Sequence, residues 1–261
     1  MIIPLLKTVQ MGWRAKANAG LHTMLPEILW RVLSLLPLLL IWQNLLTQNP
    51  LTQPPAPGVT AQQMLAYTLA ASLLEPVLSV RTVLSGWMFE GQFLTFYQRP
   101  SPLFAEVAAL TAGRWLPLLA TYSLPVWLLS PLLGISLKPA SLWFYPSLLL
   151  CISLGFAIDF LFACLTVRLA GMSWLVNSIR HAVTVMLAGS VIPFSLLPWG
   201  LGGLLRLQPF ASLDGAVLSL LTGIETPQVI LPVQLFWNVA LWPVAILLFR
   251  RSRERMVSYG G

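Results

Sequence analysis

The chain has 261 residues, 57% of them hydrophobic and 9% charged, where soluble domains carry roughly a quarter charged. That composition excludes an ordinary soluble protein and leaves an integral membrane protein with one membrane domain. The net charge of +7 would fit a nucleic-acid binder only with basic residues clustered on a water-facing surface. Here they lie in short connections between apolar runs, so no nucleic-acid partner is expected.

Residues 1–24 contain Lys7, Arg14 and Lys16 and so do not cross. On a helical wheel Leu6, Val9, Trp13, Ala17, Gly20 and Met24 share one face. Lys7, Gln10, Arg14, Asn18 and His22 lie opposite, with Lys16 as the exception. A basic face backed by Trp and Leu predicts an amphipathic helix lying in the lipid headgroup layer. No cleavable leader is read from the first residues, which lack an uninterrupted apolar core and a small-residue cleavage site.

The first crossing is predicted over residues 25–46, with Glu27 and Arg31 spaced one turn apart for a local ion pair. An uncharged connection with four prolines follows, then a second crossing over 61–80 that holds Glu75 and Pro76 near its end. Residues 81–106 read as a polar loop. The third crossing, 115–134, is punctuated by Pro117, Pro125 and Pro131, kinks that are tolerated where neighbouring helices satisfy the freed backbone groups. The fourth, 142–165, contains Asp159 together with Cys151 and Cys164; two cysteines in one apolar run predict no disulfide between them.

The fifth crossing, 174–192, carries Arg180 and His181 near its start, and Pro193 and Pro198 break it. Residues 199–214 are apolar but interrupted by Arg206, Pro209 and Asp214, and the run 216–221 is too short to cross. They predict two short helices at, or dipping into, one membrane face. A last crossing, 228–249, places Gln234 and Asn238 four residues apart on one face, as glue between helices. A basic tail, 250–261, ends the chain. The expected fold is therefore all-α: an interfacial helix, six transmembrane helices over 25–249, and short re-entrant helices before the last crossing.

Six crossings put both termini on one side. If that side is cytoplasmic, 13 of the 15 basic residues lie inside and only Lys138 and Arg206 outside, the asymmetry that sets orientation. The positions of chemistry are fewer. None of the three lysines follows the glycine of a phosphate-binding loop, and the two histidines, His22 and His181, are far apart. No catalytic residue, metal site or nucleotide site is expected in this chain. Glu75 and Asp159 are carboxylates within apolar runs, where a charge is costly and usually pairs, faces the bundle interior or lines a pathway. Glu75 is spaced to meet Arg81. For Asp159 two readings stand open, a place on a substrate pathway and a structural hydrogen bond.

Gly189-Ser-Val-Ile-Pro-Phe-Ser-Leu-Leu-Pro198 and Leu207-Gln-Pro-Phe-Ala-Ser212 resemble the fifth-helix region of type 2 ABC exporter permeases. The six-helix branch grouped with viologen exporters is the most similar. Ser85-Gly86 through Arg99-Pro100 and the ending Arg255-Met-Val-Ser-Tyr-Gly-Gly261 fit the same pattern. The resemblance implies a bacterial inner-membrane exporter subunit that pairs with a second copy or a sister permease. Cytosolic ATPase subunits would hydrolyse ATP with Mg, so this chain would bind no cofactor itself. It also implies a coupling helix in the first inner loop, with Gly86, Trp87, Glu90, Phe93, Tyr97 and Arg99 as docking residues. Pro193, Pro198, Arg206 and Asp214 would belong to an outer lid, and Asp159 and Glu75 to the pathway. A stand-alone secondary carrier or channel is the main alternative, disfavoured by the lack of internal duplication; an intramembrane enzyme lacks a catalytic constellation.

Overall fold

The computed structural model describes residues 2–48, 59–90, 101–169 and 172–260, and all regular structure among them is helical. Helix α1, Ile2–Asn18, is followed by α2, Leu21–Gln48. The break at Gly20 assigns residues 21–24 to the first long helix rather than to the amphipathic one. Helix α3, Ala61–Leu78, opens with a capping box in which Thr60 and Gln63 satisfy each other's backbone donors. A short helix, α4, Leu84–Glu90, lies within the predicted polar loop.

The next helical stretch starts at Leu103, twelve residues before the predicted crossing at 115. It runs as α5, Leu103–Leu118, then a π-helical segment Leu119–Ser123, then α6, Leu124–Leu129, and a 3-10 turn Ser130–Leu133. The widening has a local cause. Pro125 has no N–H to donate, and Leu124 N–H reaches back five residues to Leu119 O.

Helices α7, Phe144–Arg168, and α8, Ser173–Leu187, follow, then α9, Leu201–Leu205, α10, Asp214–Thr222, and α11, Pro227–Gly260. Helix α7 is the centre of the bundle, packed by α4, α8, α10 and α11. Helix α10 is buried from end to end, so this segment is inserted among α3, α7 and α11 rather than lying on a face. It is pinned where α8 stops. Gly189 turns the chain at φ +71°, where a Cβ would stand 2.6 Å from the Phe194 ring. Gly215 N–H donates to Ala188 O at 2.7 Å, and Tyr67 Oη–H donates to Gly189 O at 2.5 Å.

Four helical stretches among the described residues are long and apolar enough to cross a membrane: His22–Asn44, Leu103–Leu133, Phe144–Arg168 and Pro227–Ser252. The other two runs predicted to cross form shorter helices. Helix α3 has 18 residues and α8 has 15, and at 1.5 Å per residue the second rises only about 22 Å, short of roughly 30 Å of hydrocarbon. Asn177, Arg180 and His181 dilute α8, and the turn at Gly189 ends it before the predicted limit.

Helix α1 packs along α5 by a face that periodicity did not single out. Gly12 and Gly113 let the two backbones touch: a Cβ on Gly113 would lie 2.1 Å from Val9 O, and one on Gly12 2.3 Å from Leu110 O. Thr8 hydroxyl adds a buried bond of 2.7 Å to Glu106. Leu6 and Trp13, on the predicted lipid-facing side, remain exposed.

Candidate functional site

Buried and half-buried charges of the bundle converge where the chain leaves α3 and enters α4. After Leu78 the chain turns, with Val80 N–H donating to Leu78 O at 3.0 Å, and runs without regular structure through Thr82 along α7. Gly155 permits this approach, since a Cβ there would stand 2.6 Å from Val80 Cγ2. One turn further along α7, Asp159 faces the same segment.

Asp159 is ion-paired with Arg180 of α8, and the two side chains are 7% and 10% exposed. Arg180 Nη1 engages Asp159 Oδ1 and also donates to Val80 O at 3.0 Å. Thr82 hydroxyl donates to Asp159 Oδ2. The same hydroxyl accepts from Leu84 N–H at 3.1 Å, a turn across Val83 that satisfies the first backbone donor of α4. Both carboxylate oxygens are therefore engaged, and one cluster joins α7, α8 and the start of α4. Removing one partner of a buried ion pair costs about 3–5 kcal/mol, because the other charge is left uncompensated.

Glu75 sits in a second, wetter group. Its carboxylate meets Arg31 of α2 at 2.5 Å and, as its spacing to Arg81 predicted, Arg81 at 3.4 Å. Arg31 also pairs with Glu27 at 3.3 Å, and Glu27 with Lys16 of α1 at 2.6 Å. Arg81 reaches His181 Nδ1 at 3.2 Å. Alternating charges thus run from α1 across α2 and α3 to α8, ending beside Arg180.

Of the residues expected to dock an ATPase, Gly86 and Trp87 lie on α4. Gly86 faces open space, and Trp87 is half-buried against the cluster formed by Val80, Leu84, Phe156 and Phe160. Glu90 ends α4; Phe93, Tyr97 and Arg99 lie outside the described residues. Asn177 of α8 donates to Ser85 Oγ at 3.4 Å, a second tie to α4.

The four positions assigned to a lid are dispersed. Pro193 is buried before a 3-10 turn, Phe194–Leu196, and Pro198 is exposed. Arg206, after α9, pairs with Glu225 at 2.8 Å beside a cavity of about 270 Å³. Burial pushes the Glu225 carboxyl up from its usual range, and the Arg206 guanidinium pulls against that. Asp214 is buried at the N-terminus of α10, where the helix dipole favours a carboxylate.

Gln234 and Asn238 bind helix to helix, as their spacing predicted. Gln234 Nε2 donates to Ser212 O at 2.9 Å, its Oε1 accepts from Ser147 hydroxyl at 2.9 Å, and Asn238 Nδ2 donates to Leu150 O at 3.0 Å. Both cysteines are buried and free. Among the described residues no cluster of His, Cys, Asp or Glu has the makings of a metal site.

Arg180 and Thr82 are the site residues that sequence reasoning missed. In the sequence Arg180 reads as a basic residue near the start of the fifth crossing, with no partner indicated. A signal was present: opposite charges occupy the two successive runs 142–165 and 174–192, each otherwise poor in ionisable groups. No family model matches the chain, and no curated protein matches it.

Proposed function

We propose that the chain is the membrane-spanning subunit of an ATP-driven exporter of the type 2 ABC class, coupled to separate cytosolic ATPase subunits and working as a dimer. It crosses the bacterial inner membrane six times with both termini in the cytoplasm, and α3 and α8 are the two short crossings. Helix α3 is covered by neighbours on most of its surface, so it need not be apolar all round. The 13-to-2 distribution of basic residues supports the orientation.

The observation that carries the reading is the attachment of α4. A short helix in the connection between two bundle helices is tied through Thr82, Asp159 and Arg180 to the centre of the bundle. A push on α4 is thereby delivered to α7 and α8 together. In this reading ATP binding and hydrolysis occur in the partner, and α4 passes the resulting motion on, switching the permease dimer between inward- and outward-open states. Asp159 then serves transmission rather than substrate contact, and the short helices after Pro193 close the outer side.

Cysteines placed at Trp87 or Glu90, with Cys151 and Cys164 replaced, should crosslink to a cognate cytosolic ABC ATPase subunit when the two are co-expressed. Crosslinks from the turn at 168–173 alone would move the coupling element there and defeat the assignment of α4.

A further inference from the structure

A cavity of about 400 Å³ opens between α3, the π-segment with α6, and the connection that leads into α7. It lies apart from the Asp159 cluster and plays no part in the transmission just described. Its floor is apolar and buried, formed by Leu73, Leu137, Phe144 and Leu221. Ser123 also lines it, but its hydroxyl is spent on Leu73 O at 2.7 Å. The mouth is different. Trp127 and Tyr145 stand half-exposed there, and Lys138 supplies the one charged side chain of the lining.

Two features make this a built recess. One wall is the π-helical turn Leu119–Ser123, where the inserted residue breaks the regular helical register between Leu119 and Leu124. The connection that bears Lys138 is anchored on both sides: Ile135 N–H donates to Ser130 O at 3.1 Å, and Ala140 N–H to Leu221 O at 2.9 Å. Lys138 has no ion-pair partner among the described residues. A volume near 400 Å³ lies at the small end of the roughly 300–1,000 Å³ typical of ligand pockets. It suits one chain, not a two-chain lipid.

We infer that this cavity binds a single-chain anionic amphiphile, a fatty-acid-like molecule whose apolar tail fills the floor while its head group meets the Lys138 ammonium. The apolar walls select for the tail but give no preference among heads. The ammonium supplies that preference, because a charge-assisted hydrogen bond to a carboxylate is stronger than one to a neutral hydroxyl.

The test uses the full chain in nanodiscs of phosphatidylcholine. A medium-chain fatty acid with a photoreactive group at its tail end is compared with the matching alcohol, in alkaline buffer where the carboxylate is ionised. Labelled positions are read by mass spectrometry. The acid should label the peptides holding Leu73 and Trp127, and the alcohol about tenfold less, the scale of one charge-assisted bond. Lys138→Gln, at an exposed position, should lower acid labelling to the alcohol's level, and Lys138→Arg should retain it. Leu73→Trp should fill the floor and abolish labelling. Equal labelling by acid and alcohol, or labelling unchanged in Lys138→Gln, overturns the assignment of the head group. Labels confined to exposed α2 positions such as Leu29 and Leu33 overturn the site. Displacement by phosphatidylglycerol but not by unlabelled free fatty acid overturns the single-chain ligand.

Discussion

Asp159 and Glu75 are both carboxylates in apolar helices, and their surroundings have opposite character. Asp159 is dry, with each oxygen held by one fixed partner, Arg180 or Thr82. Glu75 has a side chain 34% exposed and shares a chain of alternating charges with Arg31 and Arg81. In the first case desolvation has already been incurred, so breaking the pair strands a charge. In the second, water can replace a lost partner. One group positions helices; the other tolerates change. Under the proposed function this difference is why coupling is placed in the Asp159 cluster, because a site that cannot relax locally passes displacement on.

The sharpest way to break this comparison is at Arg180. Arg180→Leu should cost about 3–5 kcal/mol by leaving Asp159 buried and unpaired, seen as a large fall in the temperature at which the detergent-solubilised protein aggregates. Adding Asp159→Leu should recover much of that loss, since replacing both members of a buried pair by apolar groups is often nearly neutral. A double variant no better than the single would show that Arg180 acts through Val80 O rather than through Asp159.

A smaller effect is expected at Thr82. Thr82→Val keeps the shape while removing one bond to Asp159 and the acceptor for Leu84 N–H, a loss of about 1–3 kcal/mol. Hydrogen exchange should rise at the backbone amides of 84–87 and hardly change in α11. Uniform exchange across the bundle would mean that α4 is not an individually tethered element.

The smallest effect belongs to Glu75. Glu75→Gln should change stability by no more than about 1 kcal/mol, and added salt should narrow the gap between variant and parent. A loss comparable with that of Arg180→Leu would erase the distinction between the dry and the wet group.

Much of the helical layout was legible from composition and breakers. Phe144–Arg168 and the span within Pro227–Gly260 follow from long apolar runs, and the Glu27–Arg31 and Glu75–Arg81 spacings led to real contacts because residues four to six apart on a helix or across its end are near neighbours whatever the fold. The start of α5 was not legible. The polar loop read over 81–106 takes in the first residues of α5, which are packed by α1, with Thr8 bonded to Glu106, and by Phe104 on Phe160, Trp242 and Phe249. The reach of α8 was overestimated for a related reason: hydropathy counts the apolar residues near Ile192, whereas Tyr67 and Gly215 hold the chain in a turn from Ala188 onward.

By itself, then, the sequence determined that this is a helical membrane protein with its polar residues rationed to few positions, because apolar length and proline breaks act locally. Tertiary structure alone decided which of those polar residues meet. Asp159 and Arg180 are 21 residues apart, and Thr82 is 77 from Asp159. Their convergence depends on how α7 and α8 pack around the segment after α3, with Gly155 making room for Val80. Periodicity describes one helix at a time, and an ion pair between helices belongs to none of them singly.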